Sequence, residues 1–298
     1  MERFVYSYIM EKHKNIESRF TCELKSGGIS ASTVRLFKKI INDHYRENYR
    51  EMPWRRTRDP YRILVSEIML QQTQVERVLQ KYAEFIRTFP DLQALARAPL
   101  SRVLRVWQGM GYNRRALSLK KLAGIVVQEY AGKLPDEPEE LIRLPGIGPY
   151  SASAIYTFVH NRPSLFIETN IRRVYIHFFF DDREHVRDTE IMVILEKTLD
   201  RKNPRDWYYA LMDYGVKLKK EVRNPNRRSA HYQKQSAFHG SARQVRGMIL
   251  KALLTTPGMT RDALKKNLKA VPANLDQIVE ELLREGFVKQ NKGNLLIP

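Results

Sequence analysis

Apolar residues recur every three to four positions from about 61 to 131, the spacing of one face of a helix. The stretch reads as successive amphipathic helices: YRILVSEIMLQQTQVERVLQKYAEFIRTF, LQALARA, SRVLRVWQGM and RRALSLKKLAGIVVQEY. Pro90, Pro99 and Gly109-Met110-Gly111 punctuate them. Upstream, VRLFKKIINDHYRENY has the same spacing, with Ser30 or Ser32 as its cap and Pro53-Trp54 as its break. Residues 1–28 read as a short helix or hairpin ending at Gly27-Gly28. Downstream the pattern predicts PEELIRL behind Pro135 and Pro138, then PYSASAIYTFVH, a helix from Ile171 to Phe180, and helices near 188–200 and 204–220. Strand-like alternation is nearly absent, so this region is expected to be all-α.

Composition shifts at Lys217. The segment KLKKEVRNPNRRSAHYQKQSAFHGSAR is basic and poor in aliphatics, and reads as a linker, a strap tracking DNA or a solvated loop. From Ser241 a second module begins with ARQVRGMILKALLTT, which stops at Pro257-Gly258. Thr260 caps RDALKKNLK, Asn274 caps LDQIVEELLREG, and FVKQNKGNLLIP forms two short strands around Asn291-Lys292-Gly293. Three helices and a hairpin in this order resemble a winged helix. Lys265, Lys266 and Lys269 on its second helix favour DNA over a protein partner. The expected division is an extension at 1–28, a helical domain at 29–220, a basic linker at 221–240 and the winged-helix-like module at 241–298.

Charge narrows the partners. A formal net charge of +19 and a pI near 9.9 put nucleic acid first and an anionic membrane surface second. No apolar run approaches the roughly 18 residues that span a bilayer. The start, MERFVYSYIMEKHK, lacks the apolar core of a secretory signal, so a cytoplasmic location is expected. Cys22 is the only cysteine, which excludes an internal disulfide and a thiolate-held zinc or iron–sulfur site. The histidines at 13, 44, 160, 177, 185, 231 and 239 show no paired ligand spacing, and no metal is expected.

Three segments carry candidate chemistry. In LPGIG, Gly146 and Gly148 are expected to turn the backbone at positive φ and let a ligand approach. With the start of the helix at Pro149 they would offer amides to a DNA phosphate; the plain alternative is a helix–helix turn. Glu67, beside Ile68-Met69-Leu70, would have its pKa raised by desolvation and suits protonation of a leaving group, unless it is a surface acid facing Arg77. Glu168, after Leu165-Phe166-Ile167 at the mouth of a helix, can stabilise a cation or simply meet the helix dipole. Two carboxyl groups, one acid and one anion, are the general solution for breaking a glycosidic bond.

PWR at 53–55, SEIMLQQTQV at 66–75, WQGMGY at 107–112, LPGIGPYSASA at 144–154, IETNIRRV from Ile167 and ALMDYG at 210–215 together resemble the helix-hairpin-helix DNA glycosylases, most closely the MutY-type adenine DNA glycosylases. The resemblance runs from about Phe37 to Gly215. It implies an all-α, two-lobed fold with DNA in the cleft and the target base flipped out. By the same resemblance Glu67 is the acid that protonates the adenine ring, and Glu168 the second carboxylate. Asn170 orients the water or that carboxylate, and Tyr112 wedges into the base stack. Gln72 probes the minor groove, and Arg55 and Arg172 are further DNA-contact candidates. Tyr150 stands where bifunctional relatives carry a Schiff-base lysine, which implies a monofunctional enzyme.

The chain departs from that pattern in three places. Glu168 replaces an aspartate. Lys219, Asn226, Ser229 and Gln235 stand where many relatives carry cluster cysteines, so an iron–sulfur cluster is expected to be absent. A winged-helix-like module stands where a lesion-inspecting Nudix-like domain is usual. The expected function is a monomeric, nucleoid-associated glycosylase of base excision repair. It would act on mismatched or damaged double-stranded DNA and release adenine opposite guanine or 8-oxoguanine. The alternatives are a thymine or uracil glycosylase acting opposite guanine, a catalytically degenerate DNA binder, and a glycosylase/lyase using another lysine.

Overall fold

The computed structural model describes residues 2–181, 183–234, 237–268 and 275–298, with side chains from Asn15 on. Its helices are α1 (Glu2–Gly27), α2 (Ala31–Glu47), α3 (Pro60–Leu70), α4 (Val75–Thr88), α5 (Leu92–Arg97), α6 (Leu100–Trp107), α7 (Arg114–Glu129), α8 (Pro138–Leu141), α9 (Pro149–His160), α10 (Thr169–Phe179), α11 (Asp188–Thr198), α12 (Pro204–Glu221), α13 (Ala242–Thr255), α14 (Arg261–Asn267) and α15 (Leu275–Glu285). One antiparallel hairpin follows, β1 (Lys289–Asn291) with β2 (Asn294–Leu296). Among the described residues the helices are joined by no other strand pair than this hairpin and two isolated bridges, and the fold is all-α.

Local chemistry explains the boundaries. Ser30, not Ser32, caps α2, its Oγ accepting from the Thr33 amide at 3.2 Å. Asp59 caps α3 in the same way, with Pro60 opening the helix. Ser241 and Thr260 cap α13 and α14. Asn274 and Lys269 lie outside the described residues. Two expectations change. The run from 61 to 89 is not continuous, because Gln72 takes φ 53° and divides α3 from α4. The N-terminal segment is a single 26-residue helix, not a short one.

The chain divides into two compact units, Met1–Arg55 with Ser153–Gln233, and Arg56–Ala152 with Lys234–Pro298. In the first, α10 packs on α12, α12 on α2, and α1 on α2. Its centre is aromatic: Phe37 meets Trp207 edge-on at 5.8 Å and Phe178 at 5.3 Å. Phe20 of α1 enters the same cluster and is 2% exposed, so α1 is part of this core.

In the second unit, α5 packs on α7, α3 on α4 and α7, and α13 on α15. Segment 241–298 belongs to this unit instead of standing apart. Glu285 at the end of α15 accepts from Arg114 of α7 and Arg246 of α13, each at 2.6 Å. The Ser101 amide donates to the Pro298 carbonyl at 2.8 Å, and Arg105 to that of Leu254 at 3.3 Å.

Candidate active site

Helix α3 is buried on nearly every side, with Ile63, Leu64, Val65 and Ile68 all at or below 1% exposure. Glu67 shares that burial at 6%. A carboxyl group in such a place needs a partner, and the Tyr150 hydroxyl donates to its Oε2 at 3.3 Å. Tyr150 is fixed because it opens α9 directly after the glycine turn. In that turn Ile147 is buried and Gly146 and Gly148 are exposed. Gly146 has φ 84°, and a Cβ there would come within 2.8 Å of Ser118 Cβ. Gly148 departs from the expectation: its φ is not left-handed, but a Cβ there would meet nothing within 4 Å. The Gln71 amide donates to the Gly146 carbonyl at 3.4 Å and to Ser151 Oγ at 3.2 Å, fastening the end of α3 to the turn.

Glu168 is the N-cap of α10. Its Oε1 accepts from the amides of Asn170 at 2.6 Å and Ile171 at 2.9 Å, and its Oε2 from Asn170 Nδ2 at 3.3 Å. Asn170 is fixed in turn, since its Oδ1 accepts from buried Arg173 at 2.6 Å. Arg173 also donates to the Gly215 carbonyl at 2.7 Å and to Asn224 Oδ1 at 3.3 Å. Burial pushes the Glu168 carboxyl above the ordinary carboxylate range, against the two amides and the Arg173 and Arg172 cations that pull it down. Gly215 is where α12 crosses α10, and a Cβ there would lie 2.5 Å from the Asn170 carbonyl oxygen.

The loop between α6 and α7 holds Tyr112 at φ 47°, behind Gly109 at 88° and Gly111 at 69°. A tyrosine in the left-handed region is uncommon and marks a conformation enforced by its surroundings. Buried Arg115 does much of the enforcing. Its Nη1 donates to the carbonyls of Ile68 at 3.0 Å and Met69 at 2.7 Å and to that of Gln71. Its Nη2 donates to Thr73 Oγ1 at 2.9 Å and the Gly111 carbonyl at 3.2 Å. One guanidinium thus satisfies the end of α3 and the tyrosine loop together. Burial pushes Arg115 down to about 10, which leaves it cationic at neutral pH. Gln72 is exposed in the α3–α4 turn.

Two of the DNA-contact candidates are held in ion pairs. The Arg55 side chain is 2% exposed and pairs with Asp213, Nη1 to Oδ2 at 2.7 Å and Nη2 to Oδ1 at 2.8 Å. Arg172 gives both arms of its fork to Asp188, at 2.7 and 2.6 Å. Sequence reading missed Arg115, Arg173 and Gln71. The i, i+3 spacing of Asn170 and Arg173 was a usable signal; for Arg115 and Gln71 there was little, because most of their partners lie far along the chain.

The residues at the relatives' cluster positions do not fit such a group. Asn226 Nδ2 donates to the Thr169 carbonyl at 2.9 Å, Ser229 Oγ accepts from the His231 amide at 3.1 Å, and Lys219 is exposed. Gln235 lies outside the described residues. The single cysteine, Cys22, is exposed on α1. Among the described residues no group of three or more His, Cys, Asp or Glu could hold a metal ion, and no helix is long and apolar enough to cross a membrane.

Residues 65–199 match the family described as HhH-GPD superfamily base excision DNA repair protein. The chain is 34% identical over 270 residues to an adenine DNA glycosylase of Mycolicibacterium smegmatis, covering 83% of this chain and 90% of that one. It is 35% identical over 189 residues to an adenine DNA glycosylase of Buchnera aphidicola, covering 62% of this chain and about half, 53%, of that protein's length. Against a thermostable thymine-DNA glycosylase the TM-score is 0.55 at 26% identity, covering 61% of this chain and 86% of that structure. A trapped endonuclease III–DNA covalent intermediate gives 0.53 at 18% identity over 62% of this chain and 86% of that one, a likeness of fold alone.

Proposed function

The chain belongs to the adenine DNA glycosylases of the HhH-GPD superfamily, and we propose that it is a monofunctional, cluster-free enzyme that flips a mismatched base out of double-stranded DNA and hydrolyses its N-glycosidic bond. The relatives are named for adenine, and adenine opposite guanine or 8-oxoguanine is the substrate of this reading. The observation that carries this reading is the buried Glu67 carboxyl held by Tyr150 at the start of the hairpin helix. The protonated Glu67 gives its proton to a ring nitrogen of the flipped base. The bond to the sugar breaks with its electron pair leaving on the base. Glu168, kept in place by Asn170 and the first turn of α10, stabilises the oxocarbenium ion. Water adds to the anomeric carbon and returns its proton to Glu67. No amine takes part, so the product is an abasic site in an intact strand.

Gly146, Gly148 and the start of α9 would take a phosphate, Tyr112 would fill the gap left by the base, and exposed Gln72 would reach the opposite base. The 241–298 segment serves as a winged-helix-like DNA module, and a monomer at the nucleoid is the setting that fits a DNA substrate. Thymine or uracil opposite guanine is the second reading, favoured by the likeness to a thymine-DNA glycosylase and by Tyr150.

Single-turnover assays on duplexes with A opposite G, A opposite 8-oxoguanine, T opposite G and U opposite G, each with and without alkali, separate these. Adenine release with strand breaks only after alkali is expected. Glu67→Gln should slow release about 10²–10⁴-fold while DNA binding persists. Release unchanged in Glu67→Gln would overturn the assignment, and breaks without alkali would point to a lyase.

A further inference from the structure

Tyr112 does not stand on its own loop alone. Its phenol oxygen accepts from Arg243 Nη1 at 2.7 Å, and Arg243 comes from the first turn of α13, more than a hundred residues away. Two guanidinium groups also lie near the ring, Arg243 with its Cζ 5.6 Å from the ring centroid and Arg115 at 5.5 Å. Helix α13 is itself held to α7 and α15, because Arg246 and Arg114 share the Glu285 carboxylate. Arg114 and Glu285 thus fasten the C-terminal segment to the helix that begins two residues after Tyr112. Arg243 is a cation on a fixed support, and its target is a side chain in a left-handed backbone conformation.

We propose that Arg243 is a positioning residue for Tyr112, so that the C-terminal module acts in base extrusion as well as in DNA binding. This rests on the glycosylase reading above, in which Tyr112 is the wedge. The planar fork matters as well as the charge, since it donates to the hydroxyl and lies against the ring. A wedge held in one orientation enters the stack without first being ordered; a loose one does not.

The test uses the full chain and a duplex with A opposite G, carrying beside the adenine a base analogue that fluoresces when unstacked. Wild type should give a fluorescence rise on binding, then base release. At saturating DNA, Arg243→Met should cut the rise and slow release about tenfold, as expected for a misoriented group. Arg243→Lys should behave like Arg243→Met, and Tyr112→Phe should reproduce most of the loss. The double variant Arg243→Met/Tyr112→Phe should be no slower than the worse single variant. The proposal is overturned if the two losses multiply, if Arg243→Lys matches wild type, or if Arg243→Met only weakens the dissociation constant. The fluorescence step needs no hydrolysis. A wild-type rise without release of any base would sink the glycosylase reading and leave the Arg243–Tyr112 coupling measurable. No rise from wild type would sink the proposal.

Discussion

At the Glu168 carboxyl, Oε1 is occupied by the two amides of the first turn of α10, and Oε2 faces the Asn170 side chain. Aspartate is the usual acid at an N-cap because its reach matches the amides of that turn. Glutamate makes the same bonds here. Its extra methylene changes where the second oxygen lies, not whether the helix is capped. On the mechanism proposed above, the upward shift of the Glu168 carboxyl sets a pH dependence. Only the anion stabilises a cationic sugar, and a group that binds protons more tightly loses its anion earlier as pH falls. The acid limb of the single-turnover rate is therefore expected above the ordinary glutamate value of about 4.3. Glu168→Gln should remove that limb together with most of the rate, and a limb at or below the ordinary value would contradict this environment. The linkage has the opposite sense for folding. The stabilisation from the proton-binding form is complete below about 4.3 and is lost as pH rises through the raised value.

Among the elements, the crossing of α10 and α12 is set by one missing methyl group. A Cβ at Gly215 would come within 2.8 Å of three α10 atoms at Asn170, two of them backbone, so the clash cannot be relieved by rotating a side chain. Gly215→Ala is expected to cost about 1–3 kcal/mol in chemical denaturation and to lower base release more than DNA affinity, because the residue it displaces is Asn170. A variant with wild-type stability and rate would show that α10 is not held there. ALMDYG was legible as a motif, but the reason for its glycine was not, since the clash is with a residue far away in sequence. The helices were legible because their apolar spacing and caps are local. The break at Gln71–Gln74 was not, because the apolar period runs through it and glutamine does not announce a left-handed turn. Glu67, Tyr150 and Asn170 stand in motifs, and the burial of Glu67 follows from its apolar neighbours, but their hydrogen-bond partners came only with the fold. The ion pairs of Arg55 and Arg172 were not legible, because Asp213 and Asp188 cannot be assigned to them from spacing.

Across the whole chain, a surplus of 19 positive charges exceeds anything the internal ion pairs require. Arg55, Arg172, Arg114 and Arg246 are tied to carboxylates and add little to a free basic surface. Lys219, Lys220, Arg223 and Arg227 are exposed around the end of α12 and the turn that follows. Cations in water attract the phosphate backbone whatever the sequence, and each phosphate they neutralise releases counterions. Binding to undamaged duplex should therefore weaken steeply with salt, the logarithm of affinity falling by about 0.9 per neutralised phosphate for each tenfold rise in salt. Single-turnover release from a saturated complex should change far less, because bond cleavage on the proposed mechanism does not depend on phosphate neutralisation. Replacing Lys219, Lys220 and Arg227 with glutamine separates the two. If this stretch tracks the backbone, the salt slope should drop by about 0.9 for each phosphate left without its cation, and the saturated rate should hold. An unchanged slope would make the stretch a solvated surface and move the electrostatic footprint elsewhere on the molecule. A lower saturated rate at unchanged slope would mean that these residues act through the 222–232 segment, whose Asn226 holds the Thr169 carbonyl one residue from Glu168.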